Sequence, residues 1–300
     1  MLNWRRFKER FFAEPTRVLA LSGGGARGLA HIGVLEHLDQ LSIKPDLVTG
    51  TSMGAVVGAL YCLHGSGEGL REVAHGLFEG ELLAKLDLDE LMRDKAGERD
   101  SFEEFSRRTR TLFTLSRMMR RVSIVEPGFM VEVMGHLFGT ATFSDLKIPF
   151  VAVATDLYSG EDVALNQGSV ATAVQASASI PGVFAPVPLE GMLLVDGYIT
   201  KNVPVPEPGE PPNRADVIVV DVQRGLQAAG PFLHGIDIVA RADWIMQIQL
   251  NRVYLEQADL VLVPEVREVH WADFRRMDQL IAAGRVAAVE NEEEIVRLFG

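Results

Sequence analysis

Ser52 stands in Gly50-Thr51-Ser52-Met53-Gly54, a G-x-S-x-G pattern. Between a strand and a helix, that pattern makes a sharp elbow that presents a serine hydroxyl as a nucleophile. Such a hydroxyl needs a base to take its proton and donors to hold the oxyanion that forms. Donors are offered by a second glycine-rich stretch, Gly23, Gly24, Gly25, Ala26, Arg27 and Gly28. Backbone amides there can converge on one point at a helix N-terminus, which makes an oxyanion hole. Arg27 would serve through its amide or by fixing the loop with its guanidinium.

For the base, the apolar run Met192 to Val195 ends in Asp196-Gly197, a carboxyl at the end of a buried strand. Taken alone, that dipeptide is more often a plain turn. Asp156, which opens TDLYSGED, and Asp221, which closes DVIVVD, are rival carboxylates. A triad in the order Ser, Asp, His would need a histidine after Asp196, and only His234 and His270 follow it. His234 lies in a PFLHG turn and His270 beside Trp271, so surface or packing roles are expected of both. His31 reads as a core or hydrogen-bonding histidine, and Cys62 as core. No His or carboxylate pair has metal-ligand spacing, so no metal is expected, and a serine nucleophile with a carboxylate base implies no cofactor.

The same glycines also fit G-x-G-x-x-G through Gly23, Gly25 and Gly28, the dinucleotide-binding pattern. That reading requires an acid at the end of the second strand. Here Asp46 precedes the strand and Gly50-Thr51-Ser52 follows it. A P-loop fails because Leu29 stands where Lys is needed.

These residues must be positioned by alternating strands and helices. Arg17 to Ser22 is a buried strand, and apolar residues at helical spacing run from Arg27 to Leu41 before Lys44-Pro45. Asp46 to Thr49 is a second strand and Met53 to Leu63 a second helix. Gly54, Ala55, Gly58 and Ala59 give that helix one small-residue face for close packing. Further strands are expected at 150–155, 163–165, 193–195, 217–221 and 260–263, with helices over 169–179, 236–257 and 277–298. The pattern is that of an α/β fold with a mostly parallel sheet, in which both glycine loops lie at the carboxyl edge.

Composition sets the remaining bounds. Three hundred residues with 47% hydrophobic content suffice for a large core, and a net charge of -12 speaks against nucleic acid as a partner. The single cysteine forms no internal disulfide and suits a reducing, cytoplasmic setting. No apolar run reaches the ~18 residues of a membrane-spanning helix. Between about 80 and 128 the composition shifts: an acidic stretch precedes FSRRTRTLFTLSRMMRR, which carries Arg117, Arg120 and Arg121 among apolar residues. This reads as a helical insertion whose arginines either pair with the acids or contact an anionic membrane from its inner face.

Five blocks in order, SGGGARGLAHIGVL, GTSMGAVVGALY, VAVATDLYSGE, ASASIPGVFAPV and DGYITKNVPV, resemble the patatin-like phospholipases. The resemblance implies a three-layer α/β fold over 17–300, with its core blocks in 17–205 and an N-terminal arm over 1–16. It further implies a lipid acyl hydrolase with a Ser-Asp dyad and no histidine: Ser52 as nucleophile, Asp196 as base and the Gly23 to Gly28 loop as oxyanion hole. Tyr198 departs from the Gly or Ala that the family usually has after Asp-Gly, which bears on substrate size. Pro181, Phe184, Gly197 and Tyr198 are expected to line the substrate. The competing readings are a catalytically silent lipid-binding or regulatory protein of the same fold, and a Rossmann-type NAD(P)-dependent oxidoreductase.

Overall fold

A computed structural model of the chain describes residues 17–80, 121–206, 215–223, 225–226, 232 and 235–300. The expected N-terminal arm, residues 81–120 of the expected insertion, and His234 lie outside the described residues.

Strand β1 (Arg17–Leu21) runs parallel to β2 (Leu47–Thr51) on one side and to β7 (Asp216–Val220) on the other. A parallel strand covered on both faces needs apolar side chains at every position, which is why RVLAL reads as a continuous run. Alternation still sorts its residues. Leu19 and Leu21 enter the larger core with Val48, whereas Val18 and Ala20 enter the smaller core with Val217 and Val219. The sheet extends in the order β5-β6-β3-β2-β1-β7-β8, with β3 (Phe150–Asp156), β5 (Val187–Leu189), β6 (Met192–Asp196) and β8 (Leu260–Leu262). Strand β4 (Asp162–Leu165) pairs off this path with β3. Strands β1, β2, β3, β7 and β8 are mutually parallel, while β4 and β6 run antiparallel to β3.

The larger core lies between the sheet and helices α1 (Ala30–Gln40), α2 (Met53–His64), α3 (Leu70–Phe78), α4 (Gly128–Phe138) and α5 (Val170–Ser177). The short α6 (Tyr198–Lys201) follows β6 and meets α7 (Gly235–Leu255), whose Tyr254 and Leu255 cover the smaller core. Helices α8 (Met277–Glu290) and α9 (Glu292–Phe299) close the chain, with α8 packed along α1. Among the described residues no helix is long and apolar enough to cross a membrane.

Most strand positions follow the sequence closely, and most of the differences lie in helices. The expected first helix opens as a 3-10 turn over Gly25–Leu29. The expected helix over 277–298 is broken at Asn291, whose φ of -114° and ψ of 19° leave the helical region. Helices α3 and α4 and the three-residue β5 were not anticipated.

Candidate active site

Strands β1, β2 and β3 carry their loops to one edge of the sheet, where open α/β proteins place ligands. β2 ends at Thr51, so the chain must turn at Ser52 to enter α2. Ser52 adopts φ 55° and ψ -124°, a conformation that costs a non-glycine residue about 1–3 kcal/mol. Several bonds hold it there. The Ser52 amide donates to the carbonyl and hydroxyl oxygens of Ser177, at 3.2 and 3.1 Å. The Ser177 hydroxyl itself donates to the Val153 carbonyl at 2.6 Å. The Ser52 carbonyl accepts from Ala55 and Val56, opening α2. Around it, Gly50 lets the first turn of α2 lie on β2, and Gly54 lets that turn lie on the carbonyls of Leu21 and Ser22.

Asp196 reaches the same place from β6, two strands along from β2. Thr51 is level with Val153 in the β2–β3 pair, and Ala154 is level with Asp196 in the β3–β6 pair. The register therefore sets Asp196 beside the elbow, and Gly197 packs on the Val153 carbonyl and the Thr51 side chain. Asp196 is 1% exposed. Its amide donates to Ser179 and its Oδ1 accepts from the Tyr198 amide at 2.9 Å. The other oxygen, Oδ2, is buried with no partner of hydrogen-bond geometry among the described residues. The Ser52 hydroxyl nevertheless lies near enough to stabilise the charged carboxylate. Together these facts describe a serine beside the carboxyl and not locked to it, as apo sites often are. Burial pushes the Asp196 carboxyl up to about 7, with the Ser52 hydroxyl and the Tyr198 amide acting against it.

The glycine loop closes the third side. A Cβ placed on Gly23 would lie 3.1 Å from the Ser52 Cβ, so only glycine lets the loop sit this close. The loop is anchored at three points. The Gly23 amide donates to the Asn202 carbonyl at 3.2 Å, the Ala26 amide to the Trp271 carbonyl at 2.6 Å, and Arg27 Nε to the Gly24 carbonyl at 3.2 Å. Arg27 is 5% exposed and thus fixes the loop through its guanidinium. Two of the six residues expected to supply amides, Gly23 and Ala26, use theirs to hold the loop in place. Among the described residues the amides of Gly24 and Gly25 take no part in this anchoring.

Other candidates separate clearly. The Asp156 carboxylate caps its turn, accepting from the amides of Tyr158, Ser159 and Leu193 and from the Ser159 hydroxyl, which hold it below its ordinary range. Burial raises the Asp221 carboxyl, and its bond from Gln223 and the charges of Arg267 and Arg27 oppose that rise. His270 Nδ1 accepts from the Ala272 amide at 3.2 Å. His31 is fully buried, with Nε2 bonded to the Ser22 carbonyl at 2.8 Å, and burial pushes it down to about 4. Neutral His31 must therefore donate from Nε2, which pins the residue that leads into the glycine loop. Cys62 is wholly buried core.

Of the expected substrate-lining residues, Gly197 and Tyr198 adjoin Asp196 directly. The Tyr198 phenol is pushed up to about 12, first by burial and then by Asp243 and Asp196. Pro181 and Phe184 lie in the turn after α5, which the amides of Ile124 and Val125 bridge through the carbonyls of Gly182 and Val183. Phe184 packs on the larger core. Asn202 and Trp271 emerge only from the structure. Asn202 is held near the site because the hydroxyls of Thr51 and Thr49 donate to the carbonyls of Lys201 and Pro204.

A sequence profile described as patatin-like phospholipase matches residues 19–208. The chain belongs to the patatin-like phospholipase family. It is 33% identical over 193 residues to an uncharacterized NTE family protein of Mycobacterium tuberculosis, a match covering 64% of this chain and 45% of that protein. It is also 28% identical over 266 residues to patatin-like phospholipase domain-containing protein 6 of Mus musculus, covering 87% of this chain and 17% of the relative. The chain thus spans less than half the length of these curated relatives. Among solved structures, VipD from Legionella pneumophila has a TM-score of 0.51 at 15% identity, covering 93% of this chain and 67% of that one, a likeness of fold.

Proposed function

We propose that the chain is a serine lipid acyl hydrolase that cleaves carboxylic ester bonds of phospholipids or related lipids through Ser52 and Asp196. The observation that carries the reading is the buried Asp196 Oδ2, left unpartnered beside a serine on a strained elbow. A carboxylate of ordinary pKa is a poor base for a hydroxyl, and one lifted to about 7 is matched to proton transfer near neutrality.

In the first half-reaction Ser52 Oγ bonds to the ester carbonyl carbon while its proton passes to Asp196 Oδ2. The oxyanion is held by the amides of Gly24 and Gly25. The carbon–oxygen bond to the alcohol then breaks, and the leaving oxygen takes the proton from Asp196. In the second half-reaction water attacks the acyl-serine and gives its proton to Asp196, which returns it to Ser52 as the carboxylic acid departs. The dinucleotide reading gains no support here, because the glycine loop is packed against Ser52 and anchored by Asn202 and Trp271. Contact with an anionic membrane through the Arg-rich stretch, which ends at the exposed Arg121, belongs to the same proposal.

Turnover of nitrophenyl butyrate and of a phosphatidylcholine dispersion by purified protein tests the reading. Both activities are expected in the wild type and absent in Ser52→Ala. Undiminished hydrolysis by the folded Ser52→Ala protein would remove the nucleophile from the account.

A further inference from the structure

Helix α7 is inverted for a helix on the surface of a globular protein. The side it lays on the rest of the chain is polar: Gln247 is 6% and Asn251 1% exposed. The Gln247 side-chain amide donates to the Ile199 carbonyl at 3.2 Å and that of Asn251 donates to Gln223 Oε1. Gln247 Oε1 and Asn251 Oδ1 have no partner among the described residues. The opposite side carries Ile238, Val239, Ala242, Ile245, Met246 and Val253, all exposed, with Val239 and Met246 each at 63%. At about 100° per residue these six fall within an arc of about 120°, shared only with Gly235 and Gln249. Charge is kept to the margins, with Arg241 and Arg252 along one edge and Asp243 along the other. An apolar stripe of this width is one that an amphipathic helix normally covers.

The 21 residues of α7 make a face about 31 Å long and about 10 Å wide, roughly 300 Å², far short of the ~800 Å² per partner that a stable dimer buries. A lipid surface has no such threshold. The helix is not long and apolar enough to cross a membrane, whereas a broad apolar stripe edged by arginines suits one that lies in the interface. It also abuts the site. Ile199, which accepts from Gln247, stands on α6 directly behind Asp196-Gly197, and the charge of Asp243 acts on the Tyr198 phenol.

We propose that the outward stripe of α7 docks the protein on a phospholipid surface, lying flat at the boundary between headgroups and acyl chains. With no charge inside the stripe, the contact needs no anionic lipid, which separates it from a contact made through the Arg-rich stretch. The docking stands on α7 alone; that it brings the site to its ester substrate rests on the hydrolase reading.

Flotation of the Ser52→Ala protein with phosphatidylcholine vesicles tests it, at about 0.5 M salt so that contacts through arginine are screened. Binding is expected, and adding Ile238→Glu with Met246→Glu is expected to weaken it about tenfold for each side chain withdrawn from the lipid. Ile238→Gln with Met246→Gln repeats the comparison without new charge. Both positions are exposed, so the urea midpoint should not change. A lowered midpoint would mean that the chain itself covers the stripe and would overturn the proposal. So would absence of vesicle binding, equal binding by parent and variants, or a parent dimer that the same substitutions dissociate in sedimentation, which would give the stripe to a second copy. In a chain that retains Ser52, Ile238→Glu with Met246→Glu should depress hydrolysis of phosphatidylcholine vesicles and leave nitrophenyl butyrate turnover unchanged. Vesicle binding through α7 without turnover of either ester removes the hydrolase alone, and turnover with binding that ignores α7 removes the docking alone.

Discussion

Replacing Asp196 by asparagine should stabilise the protein above neutrality, and the magnitude follows from the site. Asparagine is nearly isosteric. Its Oδ1 can still accept from the Tyr198 amide, and its amide nitrogen would take the place of the unpartnered Oδ2 beside the Ser52 hydroxyl, which can accept. In the wild type the carboxyl rises from 3.8 in water to about 7 in the fold. Over that interval the folded protein keeps a proton that the unfolded chain gives up, so stability falls as pH rises and the full cost is present above about pH 7. Three pH units at about 1.4 kcal/mol each give a cost of about 4 kcal/mol, an upper figure for what asparagine removes. Between about pH 5 and 8 the advantage of the variant over wild type should grow by about 3 kcal/mol. Other titrating groups cancel in the difference. Urea unfolding of both proteins across that range reads the effect directly, and at about 2–4 °C per kcal/mol thermal melts should separate by several degrees at the alkaline end. A difference that stays constant with pH would show that Asp196 is not a buried, raised carboxyl, and the basis for its role as base would go with it.

Further outcomes follow from the same geometry. Ester hydrolysis should rise with pH along a single step with an apparent pKa near 7, read from kcat/KM; a step near 4 would point to an ordinary exposed carboxylate. Ser52→Gly should unfold at higher denaturant than Ser52→Ala, by about 1 kcal/mol, since glycine relieves the positive φ that alanine retains; equal midpoints would mean the elbow is not strained. Gly23→Ala should reduce kcat far more than stability, because the added methyl meets the Ser52 Cβ and the Asn202 side chain; a fully active variant would place the loop elsewhere. His31→Ala should cost several kcal/mol by combining a core cavity with loss of the bond to Ser22, and His31→Gln should recover part of it; identical losses in the two variants would deny the hydrogen bond a role.

The sheet was legible because its strands are short apolar runs bounded by Gly, Pro and Asp, and parallel strands covered on both faces must be apolar throughout. Ser52 and the glycine loop were legible because both motifs sit where a strand must turn. What escaped was long-range. That Trp271 and Asn202 hold the glycine loop, and thereby occupy the Ala26 and Gly23 amides, is settled by chain segments far away in sequence, with no local pattern to announce them. Helix α3 does carry a signal, since Leu70, Val73, Ala74 and Leu77 are helically spaced, yet Gly65, Gly67 and Gly69 just before it are turn formers that mask its start. Helix α4 is similar, with Phe129, Met130, Val133 and Met134 on its buried face and Gly128 and Gly135 weakening its propensity. Asp196 stood out as the candidate base only through the block resemblance, because its strand-end position alone cannot show that burial raises its pKa.

The central claim is that Ser52 is a nucleophile activated by Asp196, and one measurement reaches it most directly: mass spectrometric mapping of a fluorophosphonate adduct on the purified chain. The account predicts a single adduct on Ser52 in wild type, formed faster as pH rises through about 7, much slower in Asp196→Asn and absent in Ser52→Ala. Labelling of Asp196→Asn at the wild-type rate, or a folded wild type that takes no label on Ser52, would contradict it.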